Sequence, residues 1–569
     1  MADSDKGFAD IMNITVISSL FVLILSFCYG QGERALDRHF NRFIDSLDNV
    51  RCVSLNSVKP QGRAFLIKIQ NQNQFDRINE FIRAAIEDGW TNIIVRISRG
   101  TFHYHENHIN LNGLKDSNVS ITIKGNKTTV TSEKTVSNEG YTMNPWCVLY
   151  EADSLIEVID KREKLCLAPC KGLIENGCES FYEKVQITQW FKAPVYKVAK
   201  IDTMGVYFIA PDLVYLNQFG RKGYNVNYDY MYSDNAPRFR LYDKRNDPQS
   251  TASCFLSIND SVLRSFRMEG IRFKGNKSGF ALVSIKSLIS LQVVLRKCEF
   301  DFIRSKVAAF ISTANVLFDD NKLTNTTGNE LSFIDGCKNV RVTNNIFENC
   351  GTGLGNTICV RCNESEYYIA NNSFCDFGYC AIGVGLWYGH EKKYDTRGII
   401  EHNEIYFSSQ YLAHKDQHTL MDAGAVYVWT QNEDAIIRYN FIHDYGGMKF
   451  YSGIYCDDGA SNCKIYGNVI LNTPDGCSIT SRLVKDLKPT FKNNANNFMA
   501  VNVVDGPVVF VGYESEERHC MKGANYVIRG KIKDEDKFEN LEVYHPDIEV
   551  KMTSLRSIRS KYIKNLKIR

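Results

Sequence analysis

Val340-Arg341-Val342-Thr343-Asn344-Asn345-Ile346-Phe347 decides the fold, because it is one copy of a phrase that keeps returning. A short β-rich run ends in asparagine and is followed by apolar residues. The phrase comes back as Tyr368-Ile369-Ala370-Asn371-Asn372-Ser373-Phe374 and as Ile399-Ile400-Glu401-His402-Asn403-Glu404-Ile405. It recurs as Ile436-Ile437-Arg438-Tyr439-Asn440-Phe441-Ile442 and as Cys463-Lys464-Ile465-Tyr466-Gly467-Asn468-Val469-Ile470. Asn321, Asn345, Asn372, Asn403, Asn440 and Asn468 lie 24, 27, 31, 37 and 28 residues apart. A period in this range marks a stacked solenoid. Each repeat offers short strands and turns with no room for a helix, so the expected class is all-β, a parallel β-solenoid. Function in such a rod belongs on its outer face.

Outward from the repeats, Gln74 to Asp88 reads as an amphipathic helix with Phe75, Ile78, Phe81, Ile82, Ala85 and Ile86 on one face. A helix there suits the need to cover the open edge of the first coil. Residues 145–255 break the rhythm and read as an inserted β-rich subdomain, with strand-like runs at Val206-Tyr207-Phe208-Ile209 and Phe239-Arg240-Leu241-Tyr242. The expected organisation is a signal peptide over 1–30, an N-terminal cap and first coils over 31–144, the insertion over 145–255, β-helix repeats over 256–515 and a closing segment over 516–569. The last 19 residues carry seven Lys/Arg and no acid, without interleaved aromatic residues, and read as a solvated tail.

A net charge of +3 gives no argument for nucleic acid as a partner. The aromatic fraction is 12%, with 30 Tyr and 33 Phe, most of which a solenoid core would stack internally. Ile14 to Phe27 is an apolar run too short to span a bilayer comfortably. With small residues before a cut at Gln31, it reads as a secretory signal peptide, with Met12 as an alternative start. The expected location is therefore secreted or periplasmic, with no stable membrane insertion. Of 18 cysteines, 17 remain after such a cut. Cys359, Cys362, Cys375 and Cys380 have zinc-ribbon-like spacing, but they fall inside the repeating phrase, where stacked buried thiols are the better reading. No metal or cofactor is expected.

Two coils align in detail. Gly424-Ala425-Val426-Tyr427-Val428-Trp429 lies over Ser452-Gly453-Ile454-Tyr455-Cys456-Asp457, 28 residues apart, the same interval as Asn440 to Asn468. Strand alternation then sends Tyr427, Trp429, Tyr455 and Asp457 outward. Ile382 to Trp387 laid on the same pattern places Trp387 above Trp429, and the next coil brings Arg482 close to Asp458. Such a row suits a sugar chain, whose rings stack on indoles while carboxylates move protons. Asp457-Asp458-Gly459-Ala460-Ser461 reads equally well as a turn. The coil between Asn403 and Asn440 is long, and its excess holds His414, Asp416 and His418 before Asp422. Strict stacking puts Asp422 over Phe450, ~23 Å from Asp457 along an extended chain. A glycosidase pair needs roughly 5–10 Å, so pairing requires a turn at the loop end. His443, Asp444, Glu404, Glu433 and Asp434 are secondary candidates that read first as turn residues.

The helix, the segment Arg99-Gly100-Thr101-Phe102, the insertion and the late signatures Asp422-Ala423-Gly424-Ala425-Val426-Tyr427 and Gly453-Ile454-Tyr455-Cys456-Asp457-Asp458-Gly459-Ala460-Ser461 together resemble the right-handed parallel β-helix proteins of the pectate-lyase-like superfamily. The chain is most similar to their secreted bacterial branch of β-helix glycoside hydrolases, over most of residues 70–510. The resemblance implies polysaccharide or oligosaccharide cleavage by paired carboxylates on the outer groove, with Asp422 and Asp457 or Asp458 at the matching positions. Trp387, Tyr427, Trp429, Tyr455, Arg482, His418 and His443 are the candidate substrate contacts, and a monomer is expected. A polysaccharide lyase or epimerase acting on uronates, with Arg361, Arg397 or Arg482 near the acid group, is the alternative. A non-catalytic glycan-binding rod is a third reading.

Overall fold

The structure is a computed structural model. It describes residues 64–114, 118–132, 146–151, 157–160, 162–163, 165–169, 182–188, 195–210, 238–243, 252–259, 263–276, 279–287, 291–326, 331–351, 357–386, 393–409, 411, 423–429, 434–445, 451–457, 460, 462–472, 477–482, 497–500, 502–504, 508–511, 521–522, 526–534, 537–545 and 548–551. The expected signal peptide and most of the basic tail lie outside this set. No helix among the described residues is long and apolar enough to cross a membrane.

Each coil of the rod is built from three strands. Lys338–Thr343 and Ile346–Cys350 belong to one long sheet, and Ile358–Cys362 belongs to an eleven-stranded sheet. Glu366–Ala370 then begins the next coil, in parallel register with Lys338–Thr343. This is a parallel β-helix, the class expected from the repeats. Parallel strand-crossover-strand connections are right-handed in nearly all sheets, the sense expected for these coils. The repeat exists because like residues stack. Val342, Ile369, Ile400, Ile437, Ile465 and Met499 pair in series along the long sheet, and all are fully buried. Each contributes about 1.5–3 kcal/mol by leaving water.

The asparagines form a continuous hydrogen-bonded ladder at the bend between the two strands of the long sheet. Nδ2 of Asn321, Asn345, Asn372, Asn403 and Asn440 donates to Oδ1 of the next member at 2.9–3.1 Å. The backbone N–H of each donates to the same oxygen. Asn468 continues the series onto Asn502, a member the sequence spacing did not single out. The residue before each ladder asparagine holds the left-handed conformation: Asp320, Asn344, Asn371, His402 and Tyr439 have φ of 55–57°, and Gly467 has 66°. Asparagine and aspartate tolerate that region better than other side-chain-bearing residues, which accounts for the Asn-Asn doublets.

The expected helix is present as Gln72–Asp76 followed by Ile78–Glu87. Asn71 caps it, its side chain accepting from the Gln74 N–H at 3.0 Å. Phe75, Ile78, Ile82 and Ala85 are buried, and Phe75 lies tilted 5.0 Å from Phe102 and stacks 6.4 Å from Phe255 in the first coils. Within the inserted region, seven described strands from Trp146–Glu151 to Arg238–Asp243 form a separate antiparallel sheet. The ladder is unbroken by it, since Ser120–Thr131 pairs directly with Ser265–Lys274. Past residue 515, where the repeats fade in sequence, parallel pairing still reaches Val503 to Tyr526 before an antiparallel meander begins.

Candidate functional site

The eleven-stranded sheet carries the candidate site, and its register can be read residue by residue. Val426 pairs with Ile454 and Tyr427 with Tyr455, the 28-residue offset expected from the sequence. One residue beyond each strand, a backbone N–H donates to the preceding coil. Asn363 donates to Phe333 O, Gly385 to Cys362 O, Trp429 to Val384 O and Asp457 to Val428 O, at 2.9–3.1 Å. The row is therefore Asn363, Gly385, Trp429, Asp457, and beside it run Ser332, Arg361, Gly383, Tyr427, Tyr455 and Thr480.

This register corrects one expectation and refines another. Gly385, not Trp387, is the residue in line with Trp429, because Val384 pairs with Val428. Arg482 follows Ser481, which pairs with Cys456, so its backbone falls in line with Asp457, the residue before Asp458 in the chain. The glycines are informative in their own right. A Cβ at Gly383 would come within 2.9 Å of Cζ3 of the Trp429 ring. Gly385 holds φ +98°, and a Cβ there would come within 2.8 Å of the Trp429 carbonyl oxygen. Gly383 and Gly385 form a side-chain-free floor across which the indole lies. A glycine inside a strand often marks such a close approach.

The expected outward row is a closed aromatic cluster rather than an exposed one. Tyr427 and Tyr455 are 2% and 4% exposed and Asp457 is 3% exposed, while Trp429 is only partly buried. Ring centroids separate Tyr427 from Trp429 by 4.9 Å, from Tyr455 by 5.1 Å and from Tyr379 by 5.9 Å. At the heart of the cluster the Tyr427 hydroxyl donates to Oδ2 of Asp457. The tilted and edge-on packing of aromatic rings over three successive coils buries the tyrosines and leaves the indole partly accessible. Asp457 also opens a turn, its carbonyl accepting from the Ala460 N–H at 2.9 Å. The turn reading and the side-chain reading of this aspartate hold together.

Arg361 completes the cluster, its guanidinium 5.7 Å from the Trp429 ring centroid. Burial pushes its pKa down, opposed by the neighbouring Tyr379. The sequence marks Arg361 only through the uronate alternative and does not by itself single out Tyr379, Gly383 or Gly385. The Gly-Val-Gly pattern in an otherwise apolar strand was the available signal.

His443 lies elsewhere. It sits on Phe441–His443 of the long sheet, in register with Tyr406 and Leu471. Its ring stacks 4.8 Å from Tyr406 and 4.2 Å from Phe441. Nδ1 meets Asp444 at 2.7 Å and Nε2 meets Glu404 at 3.4 Å. It follows the ladder residue Asn440, so it lies on the long sheet, apart from the Trp429 row. Asp434, also on the long sheet, pairs with Lys464 at 3.0 Å. Asp422, Asp458, Trp387 and His418 lie outside the described residues, as do Glu433, His414 and Asp416, and the side chain of Arg482 is not described. The four cysteines of the ribbon-like spacing are split between sheets: Cys375 is on the long sheet, while Cys359, Cys362 and Cys380 are buried along the eleven-stranded one.

No family profile matches the chain, and no curated protein matches it. Among solved structures it is similar to a glycoside hydrolase, with 10% identity and a TM-score of 0.44, over 81% of this chain and 95% of that one. It is also similar to the tailspike of Acinetobacter baumannii bacteriophage AP22 in complex with capsular saccharide (9% identity, TM-score 0.19, 80% and 77% covered). The Pseudomonas phage phi297 tailspike is a third such structure (10% identity, TM-score 0.28, 81% and 77% covered). The fold assignment rests on the strand pairing described above, and the chemistry rests on the side chains.

Proposed function

We propose that the chain is a secreted carbohydrate-active enzyme, a glycoside hydrolase whose site lies on the outer face of the eleven-stranded sheet. The observation that carries this reading is the hydrogen bond from Tyr427 to Asp457 beside the accessible Trp429 indole. An indole face binds a sugar ring by apolar and C–H contacts. A carboxylate one coil away, oriented by a tyrosine hydroxyl and shielded from bulk water, is placed for proton transfer or attack at the bond beside that ring. Asp422 is its partner carboxylate in this reading, the pairing that the resemblance implies. The alternative of a uronate lyase draws support from Arg361, a cation at the same indole.

A polysaccharide panel assayed for reducing ends and for the ultraviolet absorbance of unsaturated uronate separates these chemistries. Hydrolysis gives reducing ends alone, and Asp457→Asn lowers kcat by about 10²–10⁴-fold, the usual worth of a positioned acid or base. Absorbance growing with the reducing ends moves the protein to the lyases. Glycan binding with no product, and no effect of Asp457→Asn, sinks the enzyme reading.

A further inference from the structure

Each coil passes from the eleven-stranded sheet to the long sheet at a corner, and two inward positions face each other there. One lies at the end of the outgoing strand, the other near the start of the incoming one. Strand pairing carries both positions through successive coils as two columns. Val384, Val428, Cys456 and Ser481 form the first. Gly398, Ala435, Cys463 and Asn497 form the second, Asn497 being placed by the Cys463 N–H, which donates to its Oδ1 at 2.9 Å.

Side chains of the two columns touch. Asn497 Nδ2 donates to Ser481 Oγ at 3.0 Å. One coil earlier the same two places hold Cys456 and Cys463, whose thiols are hydrogen-bonded to each other. Both are fully buried, and both are strand-terminal, ending Tyr451–Cys456 and opening Cys463–Tyr466. Only residues 457–462 separate them, the turn that Asp457 opens. Packing alone does not call for two thiols, since Val428 and Ala435 fill the same places in the preceding coil. Shortening a thiol contact to an S–S bond of about 2.05 Å asks for a shift at the base of a turn rather than within a paired strand.

We propose that Cys456 and Cys463 form a disulfide that closes the base of the 457–462 turn and fixes the backbone carrying Asp457. It does not rest on the carbohydrate reading, only on an oxidising compartment, where such bonds persist. The oxidant is a small-molecule disulfide such as oxidised glutathione. The Cys456 thiolate attacks one of its sulfurs and releases a glutathione thiolate. The Cys463 thiolate then attacks the Cys456 sulfur of the mixed disulfide and releases the second. The two protons given up by the protein end on the two glutathione thiols, so two protein thiols are oxidised and one small disulfide is reduced. In the folded rod the hydrogen bond to Cys456, then burial, push the Cys463 thiol well above its ordinary pKa. Thiolate is the attacking species, so the exchange belongs to folding, before the coil closes.

Peptide mapping of the full chain tests it. One sample is refolded in a glutathione redox buffer and another in excess reductant, and circular dichroism selects folded protein from each. Both are alkylated after unfolding and cut with trypsin. Residues 450–464 contain no internal Lys or Arg, so the two cysteines leave on one peptide. That peptide is expected unalkylated and lighter by two hydrogens after oxidative refolding, and doubly alkylated from the reduced sample. Amide exchange over 457–463 is expected to run about tenfold faster in the reduced protein. The double variant Cys456→Val with Cys463→Ala copies the preceding coil, so it should fold and show the same exchange there in both buffers. A doubly alkylated peptide from folded, oxidatively refolded protein overturns the proposal, as does either cysteine linked elsewhere in the chain. Equal exchange in the two wild-type samples overturns the claim that the bond fixes the Asp457 turn.

Discussion

At the scale of single residues, two buried polar contacts lie on different sheets of the rod. In the aromatic cluster the Tyr427 hydroxyl fixes the Asp457 carboxylate. Tyr427→Phe keeps the ring and removes the donor, so activity should fall about tenfold or more while the fold persists. Steady-state kinetics beside a melting curve separates the two effects. On the long sheet, His443 is held by Asp444 and Glu404. Burial alone would lower its pKa, but the hydrogen bonds to Asp444 and Glu404 outweigh it and raise the value above 6.5. The protonated form is therefore the one that stabilises the fold. That contribution is full below the unfolded value near 6.5 and is lost as pH rises through the higher folded value. Urea midpoints from about pH 6 to pH 9 should fall for wild type across this window, and His443→Gln should flatten that part of the profile. A wild-type profile rising with pH there would contradict the assignment.

At the scale of elements, the asparagine ladder ties one coil to the next. Asn403 receives the Asn372 amide, donates to Asn440 and to Ile369 O, and is fully buried. Asn403→Ala strands the Asn372 donors and the Ile369 carbonyl, costing about 1–3 kcal/mol per unsatisfied group. Chemical denaturation should show a lower midpoint, and hydrogen exchange should show the loss centred on the adjoining coils, since a solenoid couples only neighbours strongly. Asn403→Asp probes the same position: its oxygen still accepts, but the ionised group cannot donate. The ladder was legible because a side chain that stacks on its own kind must recur at the coil period. The Gly383-Val384-Gly385 floor was harder to see, because a glycine's reason lies in the neighbour that approaches it, here Trp429 from the following coil.

At the scale of the whole molecule, the rod is continuous where the sequence is interrupted. Ser120–Thr131 and Ser265–Lys274 pair as neighbours although the seven-stranded antiparallel sheet lies between them in the chain. Replacing residues 146–243 by a short flexible linker should therefore preserve the parallel β-helix and the Trp429 cluster. Circular dichroism and tryptophan fluorescence would check this. Collapse of both signals would mean that the insertion covers apolar surface the rod needs.

The sequence by itself determined the parallel coils, the ladder and the 28-residue register of Tyr427 on Tyr455, because these depend on periodicity, which a linear string displays. It also marked Trp429 and Asp457, whose positions follow from that register. Loops of unequal length defeat the same counting. The alignment of Trp387 on Trp429 misses by two residues, because Val384 pairs with Val428. Tertiary structure alone decided that the tyrosines are enclosed, that Asp457 is bound by Tyr427, and that Arg361 meets an indole rather than a carboxylate. Burial and charge pairing depend on which side chains from different coils fill the same space, and alternation along one strand specifies only the face.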